Sequence, residues 1–572
     1  MPKRAAPTSR GSSAYTRKRA VIACQVCRAR RTKCDQKKPS CSFCESIGAE
    51  CVSDPPALSA FDPASLAIIE RLDRLEHEFK RFAGVSTSVT PGTLQPCLPS
   101  LLYPDEVATR PDAVLPQILD QILNWPVLQD QRLAGSPSSQ GASPIADDPH
   151  GSAGRLPQAG GERILVNGLH VRLAERFFAH VHNRNPILDE ANTRRLVCEV
   201  YEAGISWDTR SCLVLLVWAN GALARPFPAT PAETHEDVDD GQATALFEAA
   251  QQRFGAVFVR AGVVEAQCFF LAGVFLMSSL RPLDAWRMFL QALSICRTAM
   301  RTTQCSRAHS LELESVYWSS WKSERELNRE LRMTLEHAAA STLALPEYFA
   351  SFPENCGDEQ LHTWYFYLSE ISAWRLETHI AEEMLRSASG AQVGLQGLTE
   401  IADSLMGQVV ELQSSLAMKV FRQQPGGSGS SGTGDGNDML QLIMRARITY
   451  LQDLISWPFV RALIQDGIEP QSQAVRDWTV KGLSCHVQRL LNHRPQFYHR
   501  HHGTWLMIRN CARSAGLLLG AARLPFGDGL LPLEWRAVVE DALGMLQFWQ
   551  PHLPDLRCAI ERIHGLYYLV AG

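Results

Sequence analysis

At 572 residues the chain is too long for one ordinary domain, and its 45% hydrophobic content is ample for large buried cores. The net charge of −4 conceals a division: residues 1–51 hold 12 Lys/Arg against 3 Asp/Glu, and the remainder holds 44 against 57. A basic head on an acidic body confines any polyanion partner to the head. The first ten residues lead into Gly, Ser and Thr rather than an apolar run, which argues against a secretory leader. No uninterrupted apolar run reaches the roughly 18 residues of a membrane span, so no membrane partner is expected. Ten of the 16 Cys are dispersed without pairing logic, which favours a reducing compartment.

Residues 1–20 read as a disordered basic tail, with short clusters at Lys3-Arg4 and Arg17-Lys18-Arg19. Over 21–54 comes the densest signal in the chain: Cys24, Cys27, Cys34, Cys41, Cys44 and Cys51. They form two copies of C-x2-C followed by six residues and a third Cys. A C-x2-C elbow places two thiolates on one Zn2+ ion, and each ion needs four ligands. Six Cys cannot fill two separate sites, so two thiolates must be shared between two Zn2+ ions. The symmetric choice is Cys24 and Cys41, the first of each half. A segment this short has no apolar core of its own, so metal binding must supply its folding energy.

Between the second and third Cys run Arg28, Ala29, Arg30, Arg31, Thr32 and Lys33. If 24–31 is one short helix, Arg30 and Arg31 fall at its C-terminal end. An Arg fork suits guanine O6 and N7 in the major groove of double-stranded DNA. Arg28 and Lys33, with Lys37 and Lys38 in the loop that follows, are expected to touch phosphates, adding affinity without sequence information.

This pattern closely resembles the fungal zinc binuclear cluster (Zn2Cys6) transcription regulators. The match runs through Cys24-Gln-Val-Cys27-Arg-Ala-Arg-Arg-Thr-Lys-Cys34-Asp, then Lys38-Pro39-Ser-Cys41, Cys44 and Cys51. The resemblance implies the same sharing of Cys24 and Cys41. It also implies that Arg30 and Arg31 read a CGG-type triplet and that Pro39 shapes the loop between the halves.

Residues 55–84 read as a linker and a pairing helix. Pro55 and Pro56 exclude a helix, and Asp62-Pro63 looks like an N-cap with Pro at the first helical position. Ile68, Leu72, Leu75, Phe79 and Phe82 then step by 4, 3, 4, 3, a heptad seam that predicts a short coiled coil and a homodimer. An amphipathic helix packed on the body is the alternative. The seam covers only about two and a half heptads.

From 85 to 162 the chain is rich in Pro, Ser and Gly and reads as a disordered linker. One island interrupts it, Val114–Leu128, with Ile118, Leu119, Ile122 and Leu123 on one helical face. Family members carry a similar "ILxWP" segment, which implies docking on the body or recruitment of a partner.

From 163 to 572 the apolar period is helical, with stripes at Leu169–Val181, Cys212–Ala224, Cys268–Leu280, Trp286–Thr298 and Leu361–Ile380. Segments such as Ser211–Ala222, Tyr317–Glu326 and His501–Arg509 resemble the fungal-specific transcription factor body. That resemblance implies an all-α regulatory domain that gates activity, sometimes by sensing a small molecule. Residues 424–437 read as a loop insertion, and Glu233–Asp240 as a solvated acidic loop rather than an activation segment. His493, His499, His501 and His502 lack an acidic ligand at a helical offset, so neither a second metal nor a hydrolase site is expected there.

The fold class expected is multi-domain and mainly α: a small Zn2Cys6 head, a short coiled coil, a disordered linker and a large all-α regulatory domain. The function implied is a nuclear, sequence-specific regulator of RNA polymerase II genes that contacts the transcription machinery or coregulators. A zinc module used only for protein contacts is the alternative. No complete catalytic constellation points to an enzyme.

Overall fold

The computed structural model describes residues 27, 32, 34, 35, 37, 40–49 and 51 of the head. In the body it describes 116–129, 168–227, 240–302, 307–331, 358–389, 394–417 and 434–571. The chain divides into two compact units, Met1–Pro104 and Asp105–Gly572. The heptad residues Ile68, Leu72, Leu75, Phe79 and Phe82 lie outside the described residues, as do Cys24, Arg28, Arg30, Arg31, Lys33 and Lys38.

In the first unit the described helix is α1 (Ser42–Ser46), with Cys41 as its N-cap. The second unit is helical throughout its described residues. Its N-terminal strap holds α2 (Leu119–Ile122) and a 3-10 turn over Pro126–Leu128. Then follow α3 (Leu169–His180), α4 (Glu190–Ala203), α5 (Thr209–Leu223), α6 (Asp240–Gln251), α7 (Phe254–Phe258) and α8 (Val263–Ser278). The long helices are α9 (Pro282–Thr302), α10 (Arg307–Leu331), α11 (Asp358–Ser389), α12 (Leu395–Ala417) and α13 (Gly434–Ile464). The chain closes with α14 (Gln473–His493), α15 (Thr504–Ala522), α16 (Trp535–Trp549) and α17 (Arg557–Ala571). Residues 434–437, read from sequence as the end of a loop insertion, form the first turn of α13.

Local sequence sets where several of these helices begin. Asp189 Oδ1 accepts from the Asn192 amide at 2.7 Å, Asp208 Oδ1 from Ser211 at 2.7 Å, and Ser472 Oγ from Val475 at 3.3 Å. Each satisfies a donor that the first turn leaves without a helical partner. The Asp208 cap explains why α5 starts three residues before the apolar run that announces it.

Helices α5 and α8 are apolar all round and sit at the centre of the larger core, where helix burial demands such a sequence. Asn220 ties them together, its amide donating to Leu216 O at 2.8 Å and Leu271 O at 3.1 Å. Helix α3 crosses α5 at Gly221, where an added Cβ would lie 2.0 Å from the carbonyl oxygen of Leu173. Only glycine permits this approach. A second core gathers α11, α12 and α13 around Phe366, Met384, Leu405 and Met444.

The strap 116–129 docks on the body. Leu119, Ile122, Leu123, Trp125 and Leu128 are all buried in the larger core. Trp125 Nε1 donates to Gln117 Oε1 at 3.0 Å, and its ring lies 5.9 Å from that of Trp457. Asp120 pairs with Arg509 at 2.8 Å, and Arg562 donates to the Leu123 carbonyl. The helical stretch expected over the island shrinks to one turn, because Pro116 and Pro126 bound it.

Candidate metal centre

The described part of the head closes on sulfur. Cys27, Cys41 and Cys44 are fully buried, and their Sγ atoms all lie within 4.8 Å of one another. Cys27 Sγ and Cys41 Sγ are 3.6 Å apart. That is far beyond a disulfide bond of about 2 Å. It is close to the ~3.8 Å edge of a tetrahedron built on ~2.3 Å zinc–sulfur bonds. Cys34 and Cys51 are half-buried and pack against the trio with Phe43. Among the described residues this is the group of three or more metal-capable side chains that converges. An all-thiolate donor set of this spacing fits zinc, and bound zinc would supply the folding energy that three buried cysteines and one phenylalanine do not.

Backbone hydrogen bonds set the cysteines in place. Cys41 caps α1, its Sγ accepting from the Cys44 amide at 3.5 Å, while its own amide points at Cys51 Sγ, 3.4 Å away. Helix α1 ends at Gly48, whose φ of +63° is the left-handed conformation that glycine adopts without strain. Asp35, next to Cys34, accepts from Ser42 twice, from Oγ at 2.6 Å and from the amide at 3.0 Å. The two Ser42 hydrogen bonds hold the Asp35 carboxyl below its usual range. Spacing arguments among cysteines pass over this clasp, although the Asp that follows Cys34 was visible. Lys37 is exposed.

The histidines of the body do not form a metal site among the described residues. The rings of His499 and His501 lie 5.6 Å apart, and those of His501 and His502 6.2 Å apart. Burial draws His493 down to about 4 and His499 to about 3, and holds His501 and His502 well below the usual range. His499, His501 and His502 gather around Arg184, a buried side chain that also lines a cavity of about 220 Å³, while His493 stands beside Arg489.

A thiolate-lined head and a large helical body together define the class of zinc-cluster regulatory proteins. Residues 22–59 match the fungal Zn(2)-Cys(6) binuclear cluster domain, and residues 174–332 match the fungal specific transcription factor domain. In both segments the chain is similar to fungal Zn2Cys6 transcription regulators. It is 32% identical over 96 residues to transcription factor FBD3 of Gibberella moniliformis, covering 15% of this chain and 12% of that protein. It is 39% identical over 83 residues to regulatory protein CAT8 of Saccharomyces cerevisiae, covering 14% and 6%. To the putative transcription factor ecdB of Aspergillus rugulosus it is 25% identical over 354 residues, covering 61% and 54%. The chain thus spans about an eighth of FBD3 and about half of ecdB.

Proposed function

We propose that this protein is a nuclear, sequence-specific DNA-binding regulator of RNA polymerase II transcription, acting on a metabolic or biosynthetic gene set. The observation that carries the reading is the buried trio of Cys27, Cys41 and Cys44 inside a strongly basic segment. Cys41 lies near the sulfurs of both neighbours, which supports a bridging role for it with Cys24. Two Zn2+ ions would then share six thiolates, with Cys34 and Cys51 completing the sets. Bound zinc crosslinks the two halves and fixes the basic comb between Cys27 and Cys34. Arg30 and Arg31 read a CGG-type triplet. Arg28, Lys33, Lys37 and Lys38 contact phosphates, so affinity falls steeply with salt. Pairing through Ile68, Leu72, Leu75, Phe79 and Phe82 makes a homodimer that reads two triplets. The helical body contacts coregulators.

The test uses the full chain. Metal analysis is expected to find two zinc ions per chain, and the protein should shift a CGG-bearing duplex but not a scrambled one. Chelation should abolish the shift. Arg31→Ala should retain zinc and relax base choice at roughly 1–3 kcal/mol. Equal affinity for both duplexes with zinc bound would overturn the DNA reading in favour of a zinc module that contacts proteins.

A further inference from the structure

The cavity in the helical body is built from segments far apart in the chain, and its polar atoms are unequally served. Carboxylates around it are engaged: Glu370 pairs with Lys322, Glu377 with Arg329 and Arg447, Glu330 with Arg509, and Asp453 with both Arg489 and Arg513. Arg184 is the exception. It is 5% exposed and lines the cavity, and among the described residues no carboxylate lies within ion-pairing distance of it. Its Nη1 reaches only His502 Nδ1, at 3.5 Å, and its Nε has no partner. Buried nitrogens of two more lining residues, His493 Nδ1 and His501 Nε2, are also without partners. The carboxylate whose charge it feels, Glu370, is already paired with Lys322. A buried guanidinium with no ion pair of its own is costly, and at a cavity wall it has a place for an anion.

Beside the ion-paired side chains, the wall has an apolar part contributed by Val274, Met277, Phe289, Leu327, Phe366 and Leu506. A dry cavity of about 150 Å³ suffices for benzene; this one, at about 220 Å³, has room for a ring or short chain and a charged head. We propose that the cavity beside Arg184 binds a small organic carboxylate, its head on Arg184 and its apolar body between Phe289, Phe366 and Leu506. The planar guanidinium favours the carboxylate's two oxygens, and the neutral imidazoles add donors without competing for the charge. Pro116, from the docked strap, closes part of the wall. The site stands independently of the DNA reading, because binding is measured with no DNA present.

The experiment is calorimetric titration of the zinc-loaded full chain with hexanoate, octanoate and 4-phenylbutyrate. The neutral 4-phenylbutan-1-ol and inorganic phosphate serve as matched probes for the body and the head alone. At least one carboxylate should bind one to one, with the alcohol and phosphate each at least tenfold weaker. Arg184→Met should weaken the carboxylate by about ten- to a hundredfold, while the melting temperature without ligand stays level or rises, since an unpaired buried charge has been removed. Leu506→Phe, which narrows the apolar end, should weaken binding without unfolding the body and serves if the first variant does not fold. Absence of heat with all three carboxylates, equal binding of the alcohol, or full binding by Arg184→Met would each overturn the proposal.

Discussion

Asp453 on α13 is the electrostatic hub of the body, and Asp453→Asn tests how much it holds. Its Oδ2 accepts from Arg489 at 2.5 Å and Arg513 at 2.6 Å, and His486 Nε2 lies 3.7 Å from Oδ1. All four side chains are essentially inaccessible. Burial pushes the Asp453 carboxyl up, but Arg489 and Arg513 outweigh it and leave it well below the usual carboxylate range. The amide variant keeps the shape and deletes the one charge serving two guanidiniums. Breaking a buried pair by removing one partner costs about 3–5 kcal/mol, and with two cations orphaned the upper end is expected. The sign follows from the depressed pKa: this stability is present above the unfolded value of 3.8 and lost as pH falls below it. Urea unfolding of the full chain at pH 7.5, followed by far-ultraviolet circular dichroism, should move the body's midpoint sharply down. Adding Arg513→Met should recover part of the loss, because one stranded cation goes with it. A loss below about 1 kcal/mol, or a strictly additive double variant, would refute the view that this cluster is held by charge.

Burial draws His182 to about 4 and His486 to about 3, alongside His493, His499, His501 and His502. Unfolding releases them to take up protons below about 6.5, so stability is full above that pH and drains toward pH 4, each contributing up to ~1.4 kcal/mol per unit. Urea midpoints from pH 7.5 to 5 should fall steeply, with roughly three or more protons taken up on unfolding at pH 5; a flat profile would contradict this. Gly221→Ala sets a methyl against the Leu173 carbonyl and should cost about 1–3 kcal/mol, read as a lowered melting temperature. Trp125→Ala should cost about 3–5 kcal/mol if the strap stays docked and should raise amide exchange over 116–129; unchanged exchange would mean that Trp125 does not anchor it.

Much of the site's ligand chemistry was legible because its signal is local. Six cysteines at fixed spacing limit the geometry, and the basic comb lies between them. The central helices were equally plain, since an apolar run such as 212–224, too short to cross a membrane, has nowhere to go but the core. What escaped is what depends on distance along the chain. The island at 114–128 shows its apolar face, but its partners are remote: Arg509 stands 389 positions from Asp120 and Arg562 439 from Leu123. The Arg184 cavity is made from residues between 116 and 513, none of which stands out alone. A lone Arg in a His-rich neighbourhood carries no periodicity to betray a missing counter-ion.

The docked strap has a consequence for how the protein is made. Its apolar side chains leave the ribosome well before Arg509 on α15 and Arg562 on α17, which follow Asp120 and Leu123 by 389 and 439 residues. Until they arrive, Leu119, Ile122, Trp125 and Leu128 have no complete surface to cover them, and nascent chains of this kind are open to aggregation. Closure of the strap therefore waits for the synthesis of α15 and α17. A message cut short before α15 would yield a chain whose metal-binding head is intact and whose strap is left exposed, a natural target for chaperones and proteolysis.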